Sequence, residues 1–121
     1  MNGSVIDTNV IIKFLNGDEK ARQVIVDNQD IAIPVTVVGE LIYGACKSAR
    51  TQENLKLFNG FISQYPVLPI DKSVADIYGK IKADLAGKGV NLPENDIWIA
   101  ATAKANNRSV ISFDTHFLHI E

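Results

Sequence analysis

Apolar residues along this chain come in two alternating textures. Short β-prone runs, Ser4-Val5-Ile6, Asp30-Ile31-Ala32-Ile33-Pro34, Val67-Leu68-Pro69-Ile70 and Ser109-Val110-Ile111-Ser112, are separated by longer stretches whose apolar positions recur at spacings of three and four. The runs predict short buried strands and the stretches predict amphipathic helices. Val10-Ile11-Ile12-Lys13-Phe14-Leu15 gives a short helix that stops at Asn16-Gly17. Asp18-Glu19 place negative charge at the start of the next helix, with Ala21, Val24 and Ile25 on its apolar side. Pro34 cannot donate to a ladder and ends the second strand. Thr36 is the expected cap of a helix whose stripe is Val38, Leu41, Ile42, Ala45 and Cys46. Thr51 opens a helix with Leu55, Phe58, Phe61, Ile62 and Tyr65 on its buried side. Ser73 with Asp76 has the form of a capping box ahead of Val74, Ile77, Tyr78, Ile81 and Leu85, and that helix stops at Gly87-Lys88-Gly89. Asn95-Asp96 begin one more, through Trp98 and Ile99-Ala100-Ala101 to Asn106-Asn107.

Strands alternating with helices imply an α/β fold with a parallel sheet covered on both faces, and the ligands of such sheets sit beyond the carboxyl ends of the strands. The 121 residues, 46% of them hydrophobic, suit a single domain over residues 1–121 with a self-sufficient core. Cys46 is the only cysteine, which excludes an intrachain disulfide; it is expected on a buried helix face as a small hydrophobe. Nothing has the form of a signal peptide and no apolar segment is long enough to cross a bilayer, so a cytoplasmic location and no membrane partner are expected. There is no internal repeat or linker.

Against this pattern four acids are out of place. Asp7, Glu40, Asp96 and Asp114 lie in or beside apolar segments, where a carboxylate needs a partner. Each has an ordinary explanation alone: Asp7 as a helix cap, Glu40 as an exposed helix residue, Asp96 as a first-turn acid, Asp114 as a cap before Phe117. Asp7 and Asp114 follow predicted strands, at the sheet end where ligands bind, and together the four favour one shared pocket. An all-oxygen donor set suits Mg²⁺ or Mn²⁺ rather than zinc. A carboxylate-held cation activates water and neutralises charge at a phosphoryl group, so reaction at a phosphodiester is the leading inference. Net charge is −2, from 14 acids and 12 bases, which argues against a broad basic nucleic-acid surface. Setting the four acids aside leaves ten against 12, so the balance does not exclude such a substrate.

The same residues sit in a larger pattern. Asp7-Thr8-Asn9-Val10-Ile11-Ile12 resembles the opening motif of PIN-domain ribonucleases, and Pro34-x-Thr36-x-x-Gly39-Glu40-Leu41-x-x-Gly44 their second. Pro93-Glu94-Asn95-Asp96-Ile97-Trp98-Ile99-Ala100-Ala101 is similar to the third and Ser112-Phe113-Asp114-Thr115-His116-Phe117 to the fourth. The four occur in order over essentially the whole chain, and size and the wording of the third look most like VapC-type toxins of toxin–antitoxin pairs. The resemblance implies a three-layer α/β/α fold and a Mg²⁺- or Mn²⁺-dependent endoribonuclease. It implies metal ligation by Asp7, Asp96 and Asp114, with Glu40 binding directly or through water, and orientation of those carboxylates by Thr8, Asn9 and Ser112. It further implies an RNA substrate, a homodimer and a cognate antitoxin. The family's pattern usually runs on into another strand after the His-Phe segment, so either that edge strand is absent here or the sequence stops short of it.

Lys47 lies two helical turns beyond Glu40 with Arg50 nearby, and these are the candidates to reach RNA phosphate; Lys13 and Lys88 are weaker ones. His116 and His119 are expected in surface or packing roles, and Trp98 in the core. A haloacid-dehalogenase-type phosphatase needs a second Asp where Asn9 stands, and a receiver domain needs paired acids ahead of the strand-end Asp. The alternative from another class is a low-activity interaction module of the same fold, acting through antitoxin or RNA binding.

Overall fold

A computed structural model of the chain describes residues 3–120. In chain order its elements are β1 (Ser4–Ile6), α1 (Thr8–Leu15), α2 (Glu19–Asp27), β2 (Ile31–Pro34), α3 (Val35–Cys46), α4 (Thr51–Ile62), β3 (Val67–Leu68), α5 (Lys72–Gly87), α6 (Glu94–Ala105) and β4 (Ser109–Ile111), followed by a 3₁₀ turn over His116–His119. The strands form one parallel sheet in the order β3-β2-β1-β4, with Ser4 in register with both Ile31 and Ser109. Every residue of β1 and β2 is buried, so helices cover both faces and the layers are α/β/α. Among the described residues no strand follows β4. No helix among them is long and apolar enough to cross a membrane.

One core gathers Val5, Ile6, Val10, Ile11, Ile33, Val37, Leu41 and Ile99 between the sheet and its helices. Each fully buried Ile or Leu there contributes roughly 1.5–3 kcal/mol. A second cluster joins α5 to α6 through Val74, Ile81, Leu85, Ile97 and Ala101. Trp98 packs against it with its ring stacked on Tyr78, centroids 3.8 Å apart, which fits the expected core role. The chain goes from β1 outward through β2 to β3, then returns to the other side of β1 at β4. The strand order therefore reverses between β1 and β4, and the crevice beyond their carboxyl ends is where such a sheet offers a site.

Several local expectations are corrected. The buried stripe of α3 is Val37, Leu41 and Ala45, while Ile42 and Cys46 are exposed. This helix is apolar nearly all round, so periodicity did not select a face; packing turned a neighbouring stripe, ending in the small Ala45, toward the sheet. Thr36 does not cap α3: Pro34 holds that position, and the Thr36 Oγ1 is buried without a hydrogen-bond partner among the described residues. Helix α5 is capped by Asp71, whose carboxylate accepts from the Val74 N–H at 3.0 Å, and not by Ser73. An acid at the N-cap satisfies a free amide and meets the helix dipole together, which a hydroxyl inside the first turn cannot do. The third strand is shorter than predicted, leaving Pro69-Ile70 outside it, and α6 begins at Glu94 after Pro93.

Candidate active site

Asp7 is the residue at which β1 becomes α1. Its N–H donates to Ile111 O at 2.9 Å, extending the β1–β4 pairing, and its carboxylate caps α1 by accepting from the Thr8 N–H at 2.7 Å. The capping reading of Asp7 is thus correct as far as it goes. The second carboxylate oxygen accepts from the Ser112 hydroxyl at 2.7 Å, across the crevice. Ser112 Oγ in turn accepts from the Asp114 N–H at 2.9 Å and from Asn9 Nδ2 at 3.4 Å, while Asn9 Oδ1 accepts from the Phe113 N–H at 3.2 Å. One hydroxyl therefore ties β1, α1 and the segment after β4 together. Glu40 enters from α3 and accepts from the Thr8 hydroxyl at 2.9 Å. Asp96, in the first turn of α6, is buried at 9% exposure.

The four acids share one electrostatic environment. Burial pushes the Asp7 carboxyl above its ordinary range; the hydrogen bonds from Ser112 and Thr8 oppose this, and the charges of Asp96 and Asp114 add to the rise. Glu40 is also raised, first by burial and then by the charges of Asp7 and Asp96, against hydrogen bonds from Thr8 and Asn95. Among the described residues no lysine or arginine forms an ion pair with any of the four. The basic side chain that does meet two of them is an imidazole. His116 Nδ1 lies 2.5 Å from Asp96 Oδ2 and 3.1 Å from Asp114 Oδ1, and its pKa is raised by the hydrogen bond to Asp96, opposed by desolvation and helped by the charges of Asp114, Asp96 and Asp7.

The donor chemistry fits a divalent ion. Asp96, Asp114 and His116 each present a ligand atom, all within 4.8 Å of one another, while Asp7 and Glu40 stand outside that trio but act on it by charge. Carboxyls raised by burial and by neighbouring like charge, as Asp7 and Glu40 are, present the condition that a hard cation relieves. The sequence matches the PIN domain family over residues 4–121. The chain belongs to the PIN-domain family. Among its relatives, the tRNA(fMet)-specific endonuclease VapC of Salmonella typhimurium is 34% identical over 110 residues, 89% of this chain and 83% of the relative. The protein of the same name from Shigella flexneri is 33% identical over 113 residues, 92% and 86% of the two. Among solved structures, DNA-bound VapBC from Salmonella typhimurium superposes with a TM-score of 0.89 at 32% identity, over 98% of this chain and 91% of that one.

Within this PIN domain the sequence reading missed two participants. His116 was expected in a surface or packing role, yet a turn in which Asp114 Oδ1 accepts from the His116 N–H at 2.9 Å carries the imidazole onto the acids. The Asp-Thr-His spacing held that signal. Asn95 reaches Glu40 from the position just before Asp96, where the first turn of α6 exposes it to the site. Lys47 and Arg50 are exposed; the Lys47 ammonium lies 5.1 Å from the Tyr43 ring centroid, and Arg50 pairs with Glu53 at 3.4 Å.

Proposed function

We propose that this PIN domain is a Mg²⁺- or Mn²⁺-dependent endoribonuclease and the toxin of a toxin–antitoxin pair. One observation carries the reading: four carboxylates, from two strand ends, a helix start and the body of α3, meet with no lysine or arginine paired to them among the described residues. Asp7, Asp96 and Asp114 are the direct ligands, and Glu40 binds directly or through water. A cation held there supplies activated water and neutralises charge on the phosphoryl oxygens. The protein's own part is to hold the acids still. Ser112 fixes one oxygen of Asp7 and the Thr8 amide the other, the Thr8 hydroxyl fixes Glu40, and Asn9 fixes Ser112. Burial keeps bulk water from screening the charges, so a phosphodiester entering the crevice meets fields set before it arrives.

The relatives' names support ribonuclease activity, and transfer RNA is the first substrate to test. The VapBC complexes among the neighbours support an antitoxin partner. The outward face of α3, where Ile42 is 37% and Tyr43 66% exposed beside the exposed Cys46, supports self-association into a homodimer, checked by light scattering. The deciding experiment incubates purified protein with labelled transfer RNA and single-stranded RNA. Cleavage with Mn²⁺ that stops with EDTA and with Asp7→Asn is expected; equal cleavage by Asp7→Asn would sink the site assignment. RNA binding without cleavage by the wild type would favour the interaction-module reading.

A further inference from the structure

The acidic cluster has a cationic neighbour. Lys13 at the end of α1, Lys20 at the start of α2, and Ser112, Phe113, Asp114 and Leu118 line an open depression of about 440 Å³. Ser112 and Asp114 belong both to this depression and to the acidic cluster, so the two are continuous. The Lys13 and Lys20 ammonium groups lie 5.9 and 5.6 Å from the centroid of the same Phe113 ring. Both lysines are exposed, and neither has an ion-pair partner among the described residues. Asp18 also borders the depression, but its carboxylate caps α2, accepting from the Ala21 N–H at 2.9 Å.

Each ammonium is drawn to the ring face by its quadrupole, yet two like charges converging on one ring repel. An anion between them offsets that repulsion. We propose that Lys13 and Lys20 bind a backbone phosphate of the RNA beside the one that is cut, with Phe113 as the fixed floor that holds both ammonium groups. The inference rests on the ribonuclease reading of the adjoining site. Continuity with the acids selects the occupant: whatever fills the depression must be joined to what reacts at Asp7, Asp96 and Asp114, and that is substrate. It also answers how a net-acidic protein holds a polyanion, since the attraction sits next to the acids instead of over a wide surface. Lys47 and Arg50, the sequence candidates for this role, do not line this depression.

The test is fluorescence anisotropy of labelled single-stranded RNA in EDTA, where nothing is cut. Lys13→Gln/Lys20→Gln is expected to bind about tenfold more weakly at about 0.1 M salt, with a log–log salt slope shallower by roughly 1.4, or about 0.7 per lysine on a single strand. Lys13→Arg/Lys20→Arg should stay within about twofold of wild type, and Lys47→Gln/Arg50→Gln should leave the slope unchanged. With Mn²⁺ the Gln pair should raise KM while kcat at saturating RNA holds. An unchanged slope and affinity in the Gln pair, with wild type binding RNA, overturns the subsite and leaves the nuclease standing; so does a loss confined to kcat. A wild type that neither binds nor cuts RNA overturns both readings.

Discussion

The two ends of the same central strands treat charge in opposite ways. Where β1 and β4 begin, Arg108 Nη1 meets Asp30 Oδ1 at 2.9 Å and also donates to the carbonyls of Asp30 and Ser4, at 3.2 and 3.3 Å. Ser4 and Ser109 join by their hydroxyls at 3.1 Å, and a Cβ on Gly3 would meet the Asp30 carbonyl at 2.5 Å. That end is closed and neutralised. Where the strands finish, Asp7, Glu40, Asp96 and Asp114 face one another with only hydroxyl, amide and imidazole groups against them. A chain with 12 basic residues does not lack cations for them. The contrast teaches that pairing was available and that the acidic end does without it, the pattern expected where stability yields to function.

The largest effect should come from Asp7→Asn. RNA cleavage should fall by more than about 10³-fold, while the thermal midpoint in EDTA at neutral pH rises, because a raised, buried carboxylate becomes a neutral amide. A variant that loses both activity and stability would make Asp7 a structural acid and erase the contrast. Ser112→Ala should cost about ten- to a hundredfold in cleavage, since Asp7 and the Asp114 amide both lose their shared partner.

The pH response sharpens the comparison further. Raised carboxyls at Asp7 and Glu40 mean that the folded protein holds their protons more tightly than the unfolded chain does. Their contribution is complete below the ordinary carboxyl range near about 4 and is lost as pH rises through the raised values. Calorimetry in EDTA should therefore show the wild type gaining stability relative to Asp7→Asn/Glu40→Gln as pH is lowered from neutral. His116 shifts in the same direction, and because the Asp7 charge contributes to its rise, the variant loses part of that shift and the difference is reinforced. Parallel profiles would refute the raised carboxyls.

At the closed end, Arg108→Ala should lower unfolding free energy by about 1–2 kcal/mol in urea titration, with cleavage per folded molecule unchanged. Cys46→Ser, on the exposed face of α3, should shift the unfolding free energy of the monomer by no more than about 0.5 kcal/mol.

What the sequence disclosed and what it hid divide along physical lines. Strands buried on both faces leave unbroken apolar runs, so β1 and β2 were legible nearly to the residue. Acids at strand ends contradict their surroundings, so the four carboxylates stood out. Helix α3 hid its inward face because its apolar residues leave no contrast to read. His116 and Lys20 were missed for another reason. Each reaches its place through a turn: His116 through the hydrogen bond from its amide to Asp114, Lys20 through the reversal at Gly17, whose φ of 85° suits glycine. Neither placement leaves a periodic trace.

The pairing of Ser4 with Ser109 has a bearing on when this molecule becomes dangerous to RNA. The contact between Ser112 and Asp7 joins residues 105 apart in the chain, and parallel pairing of such distant strands is among the slower steps in folding. Synthesis delivers Asp7 more than a hundred residues before Asp114. A growing chain on the ribosome, surrounded by RNA, therefore has no complete centre until β4 has docked beside β1. Activity waits on that docking, and the interval before it is the time in which a partner can arrive first.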